Sequence, residues 1–460
     1  MRLKDILGKI LENNYYHYMS RFNEWVRLSV VYPLAEKVKH TNSMEWYHRI
    51  QEMNTWSSEQ IRAWQEEKLQ RLVDQAYNNT VYWRRIFDER GLKPSDIRTA
   101  ADLPKLPILT KAEIRAHYDE IVPDNIGSIR HRKGQTGGTT GEPMHYLDDE
   151  DIWGYVTANK IVAWRTTGYR FGDAFMALGS ASLFKKNAPL ARRILDGIRN
   201  ERAYNSMNLD DTLCQEYIDI LAKQKIHYVY GYASAIYLLA KYALDHRIDM
   251  RHMRGAFTTS ENLTDVYRET IEKAFGCRVM DCYGARDAAV TAYEITPGSY
   301  HLGYSALLEV VDEIAPNTGT LISTNLLNMA FPMLRYDYGD VAELDNNSSE
   351  YNGQMLHQIF GRVSDVLRLD NEHVLTSPGF TILMRNFNVK AYDIQKVSGS
   401  HVRMQVVIAD GWTKADEKKL VAEMQRFVGE GCEFTLEYVE GFQELKNGKR
   451  RYFMNDLSHD

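Results

Sequence analysis

The chain has 460 residues, with 56 lysines and arginines against 62 aspartates and glutamates, a formal charge of −6. At about 100–200 residues per domain that length predicts two to four domains, and 44% hydrophobic with 26% charged residues excludes disordered and fibrous classes. Mild acidity argues against a nucleic-acid binder, which needs a basic face, and the 29 tyrosines, nearly twice the 15 phenylalanines, predict a core of hydrogen-bonded aromatics or an aromatic-lined cleft.

The opening MRLKDILGKILENNYYHYMS carries charges throughout and lacks the apolar core of a secretory signal. The longest apolar run, Tyr228–Ala240, is broken by Gly231 and Ser234 and is too short for a transmembrane helix. A cytoplasmic protein without a membrane span is expected. Segment Glu24–Val38 is amphipathic; packing on its own domain is favoured over membrane contact. Residues 1–95 read as a helical extension, which is also a candidate homodimer surface. In Ser57–Asn79, Ile61, Trp64, Leu69, Leu72, Val73 and Ala76 recur at helical spacing, and Ser57 with Gln60 forms a capping box. Thr110 with Glu113 forms a second box after the turn Leu103–Pro107.

The densest signal is Lys133-Gly-Gln-Thr-Gly-Gly-Thr-Thr-Gly-Glu-Pro143. Glycines interleaved with threonines can turn sharply and aim N–H groups and hydroxyls at phosphate oxygens. No Lys-Ser or Lys-Thr follows the final glycine, and Met144–Leu147 reads as extended, so the loop links strands and is not a Walker A loop. The acidic run Asp148–Asp151 reads as a cap on the helix it precedes.

From 173 to 285 short apolar runs (Asp173–Gly179, Ile226–Tyr232, Gly255–Thr259, Arg278–Tyr283) alternate with helical stretches near 209–223, 234–246 and 263–275. That alternation predicts a parallel sheet with helices on its faces. Between 305 and 344 helices give way to strands at Ser305–Asp312, Gly319–Leu327 and Leu334–Leu344, an antiparallel sheet or small barrel appended to the parallel one. The last hundred residues read as a separate α+β unit: Val366–Leu369 and His373–Thr376, two further strands, a helix near 413–428 and a strand Glu433–Val439. The four cysteines, Cys214, Cys277, Cys282 and Cys432, have no CxxC spacing, which disfavours a zinc or dithiol site. Cys282 reads as a buried strand cysteine, with no histidine or lysine nearby in sequence to activate it.

The glycine loop resembles the phosphate-binding signature of the adenylate-forming (acyl- and aryl-CoA ligase) superfamily. Further segments resemble its motifs in the same order: Asp281-Cys-Tyr-Gly-Ala-Arg-Asp287, Phe331-Pro-Met-Leu-Arg-Tyr-Asp-Tyr-Gly-Asp340, Phe360-Gly-Arg-Val-Ser-Asp365 and Asn447-Gly-Lys-Arg-Arg451. The branch most resembled is that of phenylacetate–CoA ligases with their capsular-polysaccharide relatives, which adds Tyr230-Gly-Tyr232 and Thr259-Ser-Glu261. The resemblance covers about residues 60–460. It implies an α/β fold: a large N-terminal body (1–361) of parallel sheets flanked by helices with a small antiparallel subdomain, and a small mobile α+β C-terminal lid (362–460).

The resemblance also implies a chemistry and a set of roles. A small carboxylic acid would attack the α-phosphate of ATP, and the acyl-adenylate would pass its acyl group to CoA, or to another thiol or an amine. Thr136, Gly137, Gly138, Thr139, Thr140 and Gly141 would wrap phosphates. Tyr283 and Gly284 would line adenine, Asp340 would hold the ribose, and Arg362 would sit near ribose or phosphate. Asp287 would hold Mg²⁺. Lys449 would bridge the carboxylate and the α-phosphate as the catalytic cation, with Arg286 as a second cation there. Tyr230, Gly231, Tyr232, Thr259, Ser260 and Ala285 would contact the acid, with Tyr230, Tyr232 and Phe257 as an aromatic wall. Asp287 stands where the superfamily has Glu, Arg286 where many members have Ser or Thr, and Asn371 where the hinge region has Gly. Two other readings stay open: a catalytically degenerate nucleotide-binding protein of the same fold, and a nucleotide-sugar transferase using Asp148–Asp151 for a metal.

Overall fold

The computed structural model describes residues 21–39, 41–136, 144–179, 196–206, 209–261, 263, 265–346, 353–362, 366–369, 374–376, 384, 387–409, 411–429, 431–442 and 453–454. In chain order the strands are β1 (His131–Gln135), β2 (His145–Asp149), β3 (Phe175–Gly179), β4 (Glu201–Asn205), β5 (Tyr228–Tyr232), β6 (Gly255–Thr259), β7 (Val279–Ala285), β8 (Val290–Thr296), β9 (Ser299–Leu302) and β10 (Ala306–Ala315). They continue as β11 (Thr318–Asn325), β12 (Tyr336–Asp345), β13 (Met355–Arg362), β14 (Val366–Arg368), β15 (Val374–Thr376), β16 (Val389–Ser398), β17 (His401–Ile408), β18 (Glu433–Tyr438) and β19 (Phe453–Met454).

Both predicted capping boxes form. Ser57 Oγ accepts from the Gln60 N–H while Gln60 Oε1 accepts from the Ser57 N–H, opening the helix Ser58–Asn79. Thr110 and Glu113 do the same for Lys111–Ala116. Ahead of them, the helical segment 21–39 docks on the body through both apolar and polar groups, with Tyr32 buried edge-on against Phe171 at 5.0 Å. Buried Glu24 pairs with Arg165 and Arg170 and accepts from the Phe171 N–H. Phe22, Trp25, Val30 and Leu34 remain exposed on its outer side. Among the described residues no helix is long and apolar enough to cross a membrane.

An eleven-stranded sheet organises the body, in the order β10-β11-β12-β13-β9-β8-β7-β6-β5-β3-β4. Strands β4, β3, β5, β6 and β7 run parallel. From β7 onward the pairing is antiparallel. The antiparallel strands after 305 therefore continue the parallel sheet edge to edge, joined through the β13–β9 pairing. Strands β4, β8, β9 and β13 are additions to the strands expected from the sequence. Strand β4, Glu-Arg-Ala-Tyr-Asn, sits at the sheet edge, where one side needs no apolar partner.

Period-two alternation sorts the parallel strands into two cores. Met176, Leu178, Val229, Ala256 and Val279 face the crossover helices Asp211–Lys223, Ala233–Asp245 and Asp265–Phe275. Phe175, Ala177, Tyr228, Phe257 and Met280 face Ala163 and Trp164 of the helix Glu150–Arg165. The sheet is thus covered on both faces, as parallel sheets require. In the C-terminal unit a sheet β18-β17-β16-β19 and the helix Lys414–Val428 enclose Ile394, Val402, Met404, Val406, Leu420 and Met424.

Gly231 has a reason in this packing. A Cβ there would lie 2.3 Å from the Leu178 carbonyl oxygen on the neighbouring strand. Gly231→Ala is expected to lower stability by about 1–3 kcal/mol. In urea titration this appears as a lower midpoint with an unchanged slope.

Candidate active site

Strands β1 and β2 pair antiparallel, from His131 opposite Asp149 to Gln135 opposite His145, and the glycine-rich segment is the stretch of sequence between them. A Cβ on Gly134 would lie 2.5 Å from the Tyr146 ring, so the missing side chain lets that ring lie across the hairpin. Thr136 ties the loop's base: its N–H donates to the Met144 carbonyl at 2.9 Å, and its hydroxyl accepts from the Met144 N–H at 3.0 Å. Gly137, Gly138, Thr139, Thr140 and Gly141 lie outside the described residues, as do Lys449 and Asn371.

Tyr283 and Asp340, 57 residues apart, are brought into direct contact: the Tyr283 hydroxyl donates to Asp340 Oδ2 at 2.7 Å. Burial raises the Tyr283 hydroxyl well above its ordinary pKa, and the Asp340 charge adds to this, so tyrosine remains the donor. Register sets Arg362 on β13 opposite Asp340 on β12, although only the Arg362 backbone is described. Asp287, just beyond β7, accepts from the Tyr336 hydroxyl at 2.7 Å. Strand β12 is itself anchored at Arg335, a non-glycine residue at φ +52°. Its guanidinium pairs with Glu309 at 3.1 Å and donates to the Leu106 carbonyl at 2.6 Å. Gly284 and Ala285 end β7 opposite Thr291 and Val290.

Arg286 turns toward the hairpin. It pairs with buried Asp148 at 2.9 Å and lies over the Trp153 ring at 4.5 Å. Arg132 lies over Trp153 as well, at 5.0 Å. The Asp148 carboxyl titrates above its usual range because desolvation outweighs the attraction of Arg286. The acidic run is not gathered as a metal site. Asp149 caps the helix Glu150–Arg165 by accepting from the Ile152 N–H, and Asp151 accepts from Asn42 and Trp46. Among the described residues no group of three or more His, Cys, Asp or Glu side chains is placed to hold a metal ion.

The residues assigned to the acid gather at the C-terminal ends of the parallel strands, the usual ligand side of such a sheet. Tyr232, Thr259 and Cys282 lie side by side in register. Ser260 takes φ +65°, turning the chain sharply off β6, and Glu261 accepts from the Ser234 N–H at 2.9 Å. One expectation is corrected. Phe257 is not a pocket wall: it is fully buried and stacks on Trp164 at 4.4 Å, because its place on β6 lies deeper than Thr259. Burial pushes the Cys282 thiol up to about 12, so it is not a nucleophile at neutral pH.

Trp153, Lys160 and Trp164 had no place in the sequence reading. Lys160 Nζ lies 5.3 Å from the Tyr230 ring centroid and 5.1 Å from that of Trp164. The available signal was a single lysine within the otherwise uncharged stretch Ile152–Trp164.

No family model matches the chain. Protein CapK of Staphylococcus aureus is 24% identical over 414 residues, 85% of this chain and 89% of that protein. The phenylacetate-coenzyme A ligase of Thermus thermophilus is 24% identical over 355 residues, 72% and 77% of the two chains. Among solved structures, 2-hydroxyisobutyryl-CoA ligase in the postadenylation state with R3-HIB-AMP matches at TM-score 0.66 and 18% identity, covering 88% of this chain and 91% of that one. The same ligase in its thioesterification state, with 2-HIB-AMP and CoA, matches at 0.52 and 18% identity, over the same shares. The chain thus has the fold of the adenylate-forming CoA ligases and resembles the CapK and phenylacetate–CoA ligase branch in sequence.

Asp149 supplies a pH test of the helix it caps. Desolvation raises its carboxyl from 3.8 to about 7. Between those values the folded chain holds a proton that the unfolded chain has released, so this group's contribution to stability falls as pH rises. Asp149→Asn keeps a capping oxygen and removes the titration. From pH 4 to 7 the unfolding free energy of the parent is expected to drop relative to the variant by about 1–3 kcal/mol, read from urea titrations at each pH.

Proposed function

We propose that this chain, an adenylate-forming ligase of the phenylacetate–CoA ligase-like branch, activates a small organic acid with ATP and Mg²⁺. One observation carries the reading: the 2.7 Å bond from Tyr283 to Asp340 at the C-terminal edge of the sheet, beside a glycine-rich hairpin. Here the carboxylate oxygen bonds to the α-phosphorus of ATP and pyrophosphate leaves. A thiol or amine then attacks the acyl carbon, and AMP departs with the bonding pair.

Little in this chemistry needs a protein nucleophile, and the residues suit orientation and charge neutralisation. Thr136 holds the loop base, from which Gly137, Gly138, Thr139, Thr140 and Gly141 wrap the phosphates. Tyr283 presents its ring to adenine while its hydroxyl orients Asp340. The second Asp340 oxygen then accepts from the ribose, with Arg362 alongside. Lys449 and Arg286 supply positive charge at the reacting carboxylate and α-phosphate. Mg²⁺ suits one hard carboxylate plus substrate phosphates, and Asp287, steadied by Tyr336, is that carboxylate; when bound, the ion screens the phosphate charge. Residues 1–361 act as the body and 362–460 as a lid that brings Lys449 over the site between half-reactions.

The acceptor is CoA, as the names of the phenylacetate-coenzyme A ligases imply for those proteins, or an amine. The resemblance to the branch's capsular-polysaccharide relatives extends the proposal to surface polysaccharide synthesis, with an amine of a sugar or amino compound as the acceptor.

ATP–pyrophosphate exchange over a panel of small carboxylates tests the reading. Exchange with at least one acid is expected, and Lys449→Ala should lose it by about 100-fold or more. No exchange with any acid, and no change in Lys449→Ala, would sink it. Tyr283→Phe should raise the KM for ATP by about tenfold while leaving the KM for the acid within about twofold, since one charge-assisted hydrogen bond is removed. Initial-rate measurements with each substrate varied in turn decide this.

A further inference from the structure

We propose that the outer side of residues 21–37 is a membrane-contact surface, which seats the protein on an anionic lipid bilayer through apolar side chains lying at the headgroup level. The inference is independent of the ligase reading.

Packing on the body, expected for this segment from its sequence, uses only one of its sides. Inward, Tyr32 meets Phe171 edge-on, and Asn23 and Arg27 donate to the carbonyls of Gly172 and Gly197. Both acids of the segment face inward as well: Glu24 pairs with Arg165 and Arg170, and Glu36 accepts from the Met44 N–H at 3.1 Å. Outward lie Phe22, Trp25, Val30 and Leu34, with Trp25 61% exposed and its ring packed on that of Phe22 at 6.2 Å. Half of the large apolar side chains exposed among the described residues fall in this short stretch. Single exposed apolar residues are ordinary, whereas a contiguous group marks a contact surface. The four are spaced by three, five and four residues. They share one side because the five-residue step spans the π-helical turn Arg27–Val31, whose bonds close from i to i+5.

Charge decides what this side meets. The exposed charged residues of 21–37 are Arg21 and Lys37, one at each end of the apolar group, and no acid is exposed among them. A second copy of the chain fits poorly: a twofold pairing of this face sets cations against cations with no carboxylate between them. An anionic bilayer fits on each count. Tryptophan and phenylalanine rings favour the headgroup level, aliphatic side chains reach the acyl boundary, and arginine and lysine reach lipid phosphates. Glu24 and Glu36, which such a surface would repel, are buried away from it. The attachment also leaves the candidate site clear. The segment is tied to chain leading into β3 and β4, at Phe171, Gly172 and Gly197, whereas the site lies at the opposite ends of the parallel strands.

The test sediments the full chain with vesicles of phosphatidylcholine alone and of phosphatidylcholine mixed with phosphatidylglycerol. Binding to the anionic vesicles should exceed binding to the neutral ones by about tenfold or more, and high salt should remove the difference. Trp25→Ser with Leu34→Ser should weaken binding to anionic vesicles by about tenfold or more, at an unchanged urea midpoint. Arg21→Gln with Lys37→Gln should cancel the preference for anionic lipid. Lipids brominated along the acyl chain quench a nearby indole, so they should quench the parent's fluorescence more than that of Trp25→Phe, a substitution that keeps an aromatic ring in place. No binding to either vesicle overturns the proposal, as do equal binding to both, parent-like binding by Trp25→Ser with Leu34→Ser, and equal quenching of the parent and Trp25→Phe. A dimer that this double variant disperses in sedimentation velocity, with no vesicle binding, gives the face to a second copy and also overturns it.

Discussion

Tyrosine hydroxyls donating to carboxylates hold the working end of this sheet together. Tyr300 donates to buried Asp281 at 2.8 Å, Tyr336 to Asp287 at 2.7 Å and Tyr283 to Asp340 at 2.7 Å. Each bond crosses from one strand segment to another, fixing β7 and its following turn against β9 and β12. A carboxylate withdrawn from water without a donor is costly, and a donor of fixed length also sets its orientation. Asp281 shows both sides of the balance: desolvation raises its carboxyl, while Thr258 and Tyr300 pull it back down. The tyrosine excess therefore has a structural meaning. Large fully buried side chains include Tyr146, Tyr155, Tyr228, Tyr267, Tyr304, Tyr336 and Tyr338, and several spend their hydroxyl on a backbone or side-chain partner that phenylalanine would leave bare.

Strand β7 shows how one short segment can serve two chemistries. Successive side chains point to opposite faces. Cys282 packs with Trp164 and Tyr230 beneath the helix Glu150–Arg165, while Tyr283 packs with Tyr338 and Tyr336 in a third core, shared with Leu69, Leu72 and Val73 of the helix Ser58–Asn79. On the proposed function the acid and the nucleotide approach the strand ends from these two sides. Arg286 and Asp287 follow at the turn, one reaching back to Asp148 on the hairpin and the other to Tyr336. A single residue inserted in β7 would exchange the two faces and separate both sets of partners.

Much of the architecture was legible without coordinates because its signals are local. Capping boxes at Ser57 and Thr110 need only a four-residue window, and the alternation between 173 and 285 follows from periodicity. The site was legible as ordered motifs, which show residue types without their contacts. Phe257 was misplaced for this reason: it shares a strand face with Thr259 but lies one pleat deeper, and depth along a strand has no local signature. Strand β4 has no such signature: Glu-Arg-Ala-Tyr-Asn becomes a strand through its pairing with β3 at the sheet edge.

The opening arithmetic excluded disorder, fibres and a broad nucleic-acid surface, and the sequence by itself determined the helical start, the strand–helix alternation and the glycine-rich hairpin. Those are properties of backbone propensity and short-range hydrogen bonding, complete within a few residues. Only the tertiary structure decided that antiparallel strands extend the parallel sheet, that Arg286 reaches back to Asp148, and that Tyr283 steadies Asp340. It alone set Lys160 against the rings of Trp164 and Tyr230. Such pairings join residues 57 to 138 positions apart, so their energy depends on which strands become neighbours. The charge of −6 gave no hint of them, since a net charge sums over the groups whose separation is what matters.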